Sequence, residues 1–196
     1  CKALSALTEI APDGEWEAFN EQLSDLTDQN IKKYGSDPIV KIFKKYKALS
    51  LINSGIILKM QGKIDEALLS FKNSLKIQEE IGNKEGIAYA QGAVGVIYQD
   101  MGKNQEALSY HLKAAHTQKQ VNDLRGLGYT LIYIGQVYND EGNISKALEY
   151  YSESLEINEK IDNKQGIAFA TNDLGVVYML QNQLNDALEA YLKSYK

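Results

Sequence analysis

Apolar residues along this chain recur at intervals of three and four, the spacing that lays one stripe along a helix, and glycines and polar residues interrupt the stripes at regular places. The interruptions are periodic. Gly55, Gly95, Gly135 and Gly175 stand forty residues apart, as do Gly62, Gly102, Gly142 and Asn182, and Ala67, Ala107, Ala147 and Ala187, each alanine followed by leucine. Four copies therefore share one frame, at about 46–85, 86–125, 126–165 and 166–196, the last incomplete. A period of 20 to 50 residues is the mark of a repeat array, in which one small unit recurs and buries its apolar face against its neighbours.

Every unit predicts helix A, a turn, helix B and a polar linker. The turns read Gln61-Gly62-Lys63, Met101-Gly102-Lys103 and Glu141-Gly142-Asn143, with glycine placed to take the left-handed conformation that ends a helix. Asn182, the next-best residue for that conformation, keeps the fourth turn. Asn83, Asp123 and Asn163 are expected to cap the next helix A. A glycine inside helix A costs about 1 kcal/mol against alanine. Its return at 55, 95, 135 and 175 predicts close approach of helix B, with the alanines at 67, 107, 147 and 187 facing the gap and Tyr98, Tyr138, Tyr178, Phe71, Tyr151 and Tyr191 filling the space between units. Strand signals are absent, so the reading is all-α.

Residues 1–37 follow the same spacing less regularly. Ala3, Leu4, Leu7 and Ile10 suggest a short helix ended by Pro12-Asp13-Gly14; Asp13 is placed to cap a second, whose stripe of Trp16, Phe19, Leu23 and Leu26 runs to about Tyr34. Gly35-Ser36-Asp37-Pro38 stops it, and Pro38 suits the first turn of the next helix. This part is expected to be a divergent helical hairpin that begins the stack, with the regular array over 38–196.

The chain has 196 residues, 44% of them hydrophobic, so the core can be shared along a row of small units. Its net charge is −5, and Arg125 is the only arginine among 21 basic residues. Nucleic-acid binding needs a clustered basic face with forked guanidiniums, which this composition argues against. No apolar run approaches the ~18 residues needed to cross a bilayer, so no membrane contact is expected of this segment. The compartment stays open between cytoplasm and periplasm. Cys1 is the single cysteine, which excludes an internal disulfide. It fits either a mature lipoprotein or a chain that simply starts there.

The spacing of types within a unit resembles the tetratricopeptide repeat: a small residue in helix A, tyrosine three later, alanine nine after that, then an aromatic and a small residue. In the second unit these are Gly95, Tyr98, Ala107, His111 and Ala114, and in the third Gly135, Tyr138, Ala147, Tyr151 and Ser154. The period is forty where thirty-four is usual, and Glu159 replaces the proline that normally ends helix B. Both departures resemble the long-repeat variety found in spindle-orientation adaptors, kinesin light chains and bacterial signalling proteins. His111 for an aromatic, and Leu58 for tyrosine, are local losses.

The resemblance implies a right-handed superhelical α-solenoid of stacked helix-turn-helix repeats whose inner groove, lined by helix A, holds a protein or peptide segment. By family analogy the groove rows are Leu49, Tyr89, Tyr129 and Phe169; Ile52, Gly92, Ile132 and Asn172; Ile56, Val96, Gln136 and Val176; and Lys59, Gln99, Asn139 and Met179. Tyr89, Tyr129 and Phe169 are the favoured contacts, since flat amphipathic rings give area at low entropy cost, with the amides of Gln99, Gln136, Asn139 and Asn172 beside them to pair with a peptide backbone. Packing between neighbouring A helices is the other reading of that aromatic row, and solvated surface the other reading of Asn172 and Asp173. The asparagine that clamps the ligand backbone in long-period relatives is matched only by Asn53, its counterparts being Ala93, Tyr133 and Asp173. Glu149, Glu153 and Glu156 are expected on the wet outer face.

Catalytic constellations are missing. His111 and His116 are five apart and so turn to different faces, where a two-histidine metal site wants four. No phosphate-cradling glycine loop occurs, and neither metal nor cofactor is implied. The reading is a non-catalytic interaction scaffold; the alternative is an input segment of a larger bacterial signalling protein with a kinase, phosphatase, cyclase or DNA-binding output domain elsewhere. Helix B of the fourth unit begins near Leu184 and is shorter than its counterparts, which suggests a piece of a longer chain and a face open to end-to-end pairing with a second copy. The sequence recommends Tyr129→Ala as a variant that weakens partner binding and leaves the fold intact.

Overall fold

The computed structural model describes residues 15–35 and 37–194. Among these the regular structure is helical throughout: α1 (Trp16–Tyr34), α2 (Val40–Met60), α3 (Ile64–Ile81), α4 (Lys84–Asp100), α5 (Asn104–Val121), α6 (Leu124–Asp140), α7 (Ile144–Lys160), α8 (Lys164–Leu180) and α9 (Leu184–Ser194). The A helices are α2, α4, α6 and α8, and the B helices α3, α5, α7 and α9. Cys1, the helix expected over 2–10 and the cap assigned to Asp13 lie outside the described residues. The chain divides into two compact units, Cys1–Ile97 and Tyr98–Lys196.

Two left-handed residues per repeat make the hairpins. Gly62, Gly102 and Gly142 have φ of 76°, 69° and 73°, and Asn182 follows at 59°, as the sequence predicts. The amide after each reaches back five residues, as in Asn143 N to Tyr138 O at 2.8 Å and Gln183 N to Tyr178 O at 2.9 Å, which satisfies a carbonyl the helix end leaves open. The turn from B to A repeats the device at Gly82, Asn122 and Asp162, with φ of 66°, 57° and 51°. The sequence reading assigns no left-handed residue there.

The caps are corrected in part. Asp123 accepts from Gly126 N at 2.8 Å and caps α6 as expected. Asn163 makes no capping bond; its Nδ2 donates backward to Asn158 Oδ1 at 2.6 Å, and Asn83 Nδ2 does the same to Gln78 Oε1 at 2.8 Å. In both, the asparagine Nδ2 is tied back to a polar side chain near the end of the preceding helix B. Asn158 lies so close to Gly166 that a Cβ there would overlap its Oδ1, which explains a glycine at the head of that repeat. Pro38 lies in a turn of three-residue bonds just before α2, where the Asp37 carboxylate accepts from Ile39 N at 2.8 Å.

In the first unit α1 packs on α2 and α2 on α3. Leu23, Ala48, Ile52, Ala67 and Phe71 are buried there. Polar groups inside are paired: Asn20 donates to Ser50 O at 3.1 Å and to Ser54 Oγ at 3.0 Å. In the second unit α5 packs on α6, α6 on α7, α7 on α8 and α8 on α9, and the A helices α6 and α8 also touch. Ile132, Ala147, Tyr151, Ala170, Leu174 and Val177 form one buried cluster, flanked by Tyr129, Tyr138 and Tyr178. One bond recurs in both units: Ser74 Oγ donates to Ala48 O and Ser154 Oγ to Gly128 O, each at 2.8 Å, tying helix B to the backbone of its own helix A.

The partner of the glycine in helix A differs from expectation. Ala67, Ala107, Ala147 and Ala187 are fully buried, but the atoms against Gly55, Gly135 and Gly175 belong to the rings of Phe71, Tyr151 and Tyr191. An alanine Cβ is too short to need a glycine opposite, whereas an aromatic ring this close to the helix backbone leaves no room for a Cβ. The glycine and the aromatic sixteen residues later are one device.

Candidate functional site

Residues four or seven apart on a helix share a face, and on α6 and α8 such residues build a surface within the second unit. Tyr129 of α6 and Phe169 of α8 meet edge to face with ring centroids 6.2 Å apart, a favoured aromatic arrangement, and Tyr129 Oη donates to Gln165 Oε1 at 3.2 Å. Further along the same face Gln136 Nε2 donates to Asp173 Oδ2 at 2.9 Å, a second bridge from α6 to α8. Within α8, Asn172 Nδ2 reaches the other carboxylate oxygen, Asp173 Oδ1, at 3.3 Å.

Behind the amide–carboxylate pair lies a pocket of about 110 Å³ lined by Gln136, Asn139, Asp140, Tyr151, Asp173, Val176 and Val177. Among the described residues none donates a hydrogen bond to the buried Asn139 Oδ1. Burial raises the Asp173 carboxyl above the usual carboxylate range, because a charge is costly away from water; the bonds from Gln136 and Asn172 offset part of this. The Tyr151 phenol is raised by burial first and then by the charges of Asp173 and Asp140. The pocket thus concentrates acceptors and negative charge, and its lining includes no lysine, arginine or histidine.

The remaining residues singled out in the sequence are spread. Phe169 is 48% exposed and Asn172 exposed, while Tyr129, Gln136, Asn139 and Gln99 are half-buried. In the first unit Tyr89 is 58% exposed, whereas Asn53 is buried at 9% and offers little to a ligand. The second groove row divides, since Ile52 and Ile132 are buried in the cores and Asn172 is in solvent. On the B helices Glu149 and Glu156 are exposed and Glu153 pairs with Lys119 at 3.2 Å.

Two residues gain weight that sequence reasoning does not give them. Asp173 stands in sequence at the position of the clamping asparagine, with solvated surface as the other reading; in the structure its carboxylate accepts from Gln136 of the adjoining A helix. Tyr133 stacks on His111, ring centroids 5.3 Å apart and planes 6° from parallel. His111 is fully buried, neither ring nitrogen has a hydrogen-bond partner among the described residues, and burial lowers its pKa to about 4. It fills an aromatic position as a neutral ring. Among the described residues no group of three or more histidine, cysteine or acidic residues is placed to hold a metal ion, and no helix is long and apolar enough to cross a membrane.

Among curated proteins the chain has no match. Solved structures share its fold. BtubC (BKLC) from P. vanneervenii superposes with a TM-score of 0.70 at 17% identity, over 99% of this chain and 87% of that one. A putative kinesin light chain with nearly identical TPR-like repeats, from Podosopora anserina, gives 0.67 at 16% identity, over 99% and 92%. Aspartyl phosphate phosphatase F from Bacillus subtilis gives 0.67 at 14% identity, over 99% of this chain and 62% of that one. The sequence model of the tetratricopeptide repeat matches residues 46–119 and 127–196, the same span in which the forty-residue period, the glycine–aromatic pairs and the helical hairpins coincide, and the chain belongs to that family.

Proposed function

We propose that this protein is a protein-binding scaffold whose A-helix face, in the second unit the surface of α6 and α8, holds a segment of a partner. The observation that carries the reading is the exposure of large apolar side chains on that face. Phe169, Val176 and Met179 of α8 stand at least 40% exposed, beside half-buried amides with hydrogen-bonding capacity left over. Apolar side chains grouped on one face, rather than scattered singly, mark an interaction site. The outer face of α7, by contrast, carries Glu149 and Glu156 in solvent.

Site-specific photo-crosslinking tests this. A benzophenone side chain in place of Met179 is expected to give a discrete adduct in extract of the source cells, one that Phe169→Ala diminishes. The same group in place of Glu149 is expected to give none. Adducts from position 149 with none from 179 would move the binding surface to the B helices.

A further inference from the structure

We infer that the α6–α8 face takes an extended partner segment carrying a lysine or arginine two residues from an apolar side chain, with the apolar group on the Tyr129–Phe169 rings and the cation at Asp173. This rests on the scaffold reading and names the chemistry of the partner. Asp173 is a partly buried carboxylate whose two bonds come from neutral amides, Gln136 and Asn172. The pocket it lines holds no cationic side chain, and Asp140 adds a second negative charge there. A carboxylate taken from water without a counter-charge is held at a cost, and a cation arriving with the ligand would relieve it. Phosphate or carboxylate ligands would be repelled, and a neutral amide would leave the charge in place.

The spacing supplies the second half. Phe169 and Asp173 are four residues apart on α8, a rise of about 6 Å on one face. In an extended peptide, residues i and i+2 point the same way and lie roughly 6.6–7 Å apart. One such peptide can therefore touch the ring pair and the carboxylate at once. The flat faces of Tyr129 and Phe169 suit an aliphatic or aromatic side chain, and their edge-to-face contact keeps them in place without a ligand.

The probes are two blocked peptides, Ac-Gly-Phe-Ala-Arg-Gly-NH2 and the same sequence with citrulline for arginine, titrated into the whole chain and followed by amide chemical shifts. The arginine peptide is expected to perturb α6 and α8 and to bind about tenfold more tightly than the citrulline peptide. Asp173→Asn should reduce that preference to within about twofold. Gln136→Lys, which supplies a cation from the protein itself, should do the same. Equal binding of the two peptides, an intact preference in both variants, or no shifts on α6 and α8 at millimolar peptide would each overturn the inference. A photo-crosslinked partner whose binding depends on Phe169 and ignores Asp173→Asn would overturn it while leaving the scaffold reading in place.

Discussion

The ring of Tyr151 lies against the backbone of Gly135: a Cβ built on that glycine would stand 2.5 Å from the ring's Cε1 and 2.7 Å from Cδ1. Tyr151 is 2% exposed and cannot swing away. Replacing a helical glycine by alanine ordinarily stabilises by about 1 kcal/mol. Here the overlap outweighs that gain, and Gly135→Ala is expected to cost about 1–2 kcal/mol net in urea unfolding. Tyr151→Leu removes the ring edge, so in that background the alanine should be neutral or favourable. Additive costs would show that the ring is not the cause.

His111 gives the protein an acid-sensitive core position. Its pKa falls from 6.5 to about 4 on folding because the buried ring resists charge. A group whose folded pKa is depressed contributes stability that is present above the unfolded value and lost as pH falls through the folded one. The loss from this group is therefore expected between about pH 6.5 and pH 4, on the order of 3 kcal/mol when complete. His111→Phe, which restores the residue type of Phe71, should flatten that part of the melting temperature against pH. An unchanged slope in the variant would assign the acid sensitivity to other groups.

How much of this is legible in sequence depends on the range of each interaction. The turns can be read because left-handed backbone selects glycine or asparagine locally, and Gly142 and Asn182 behave alike. Asp123 can be read as a cap for the same reason. Asn163 cannot, because its choice is made by Asn158 five residues upstream. The glycine in helix A announces a close approach, but the partner is decided by ring shape and helix orientation, which spacing alone leaves open between Ala147 and Tyr151. Asp173 can be placed at the clamp position by the repeat frame, but its pairing cannot be read, because its partner, Gln136, lies on another helix of another repeat.

Asp162 carries a small backbone strain that can be removed. Its φ of 51° belongs to the same left-handed region as those of Gly82 and Asn122 at the equivalent turns, and among these aspartate pays most for that conformation. The side chain is exposed, so little else changes with it. Asp162→Gly is expected to stabilise by a few tenths to about 1 kcal/mol by denaturant midpoint, the entropy of glycine in the unfolded chain limiting the gain. A destabilised variant would mean that the carboxylate makes a contact worth more than the strain.

Tyr129 and Phe169 touch each other but should separate cleanly in mutants. Tyr129 flanks the buried cluster around Ile132 and Leu174, so Tyr129→Ala is expected to lower stability by about 1–2 kcal/mol. That replaces the expectation from sequence, in which this variant leaves the fold untouched. Phe169 is the better probe of binding: Phe169→Ala should stay within about 0.5 kcal/mol of the parent. Thermal melts of the two variants side by side decide the matter, and equal losses would place Phe169 in the core as well.

Asp173 tests whether the proposed site is held at the expense of stability. Its carboxyl pKa is raised, so the fold disfavours the ionised form, and the disadvantage is present at neutral pH and disappears once the group is protonated. An asparagine side chain there would keep an acceptor for Gln136 and carry no charge. Asp173→Asn is therefore expected to raise the melting temperature by about 1–2 °C at pH 7, with the difference shrinking as pH falls through the range in which Asp173 protonates. A site shaped by packing alone would show no such pH dependence, and a lowered melting temperature at pH 7 would mean that the ionised carboxylate stabilises the α6–α8 contact. The two measurements on this one residue point in opposite directions: the same substitution that steadies the free protein should remove its preference for a cationic partner.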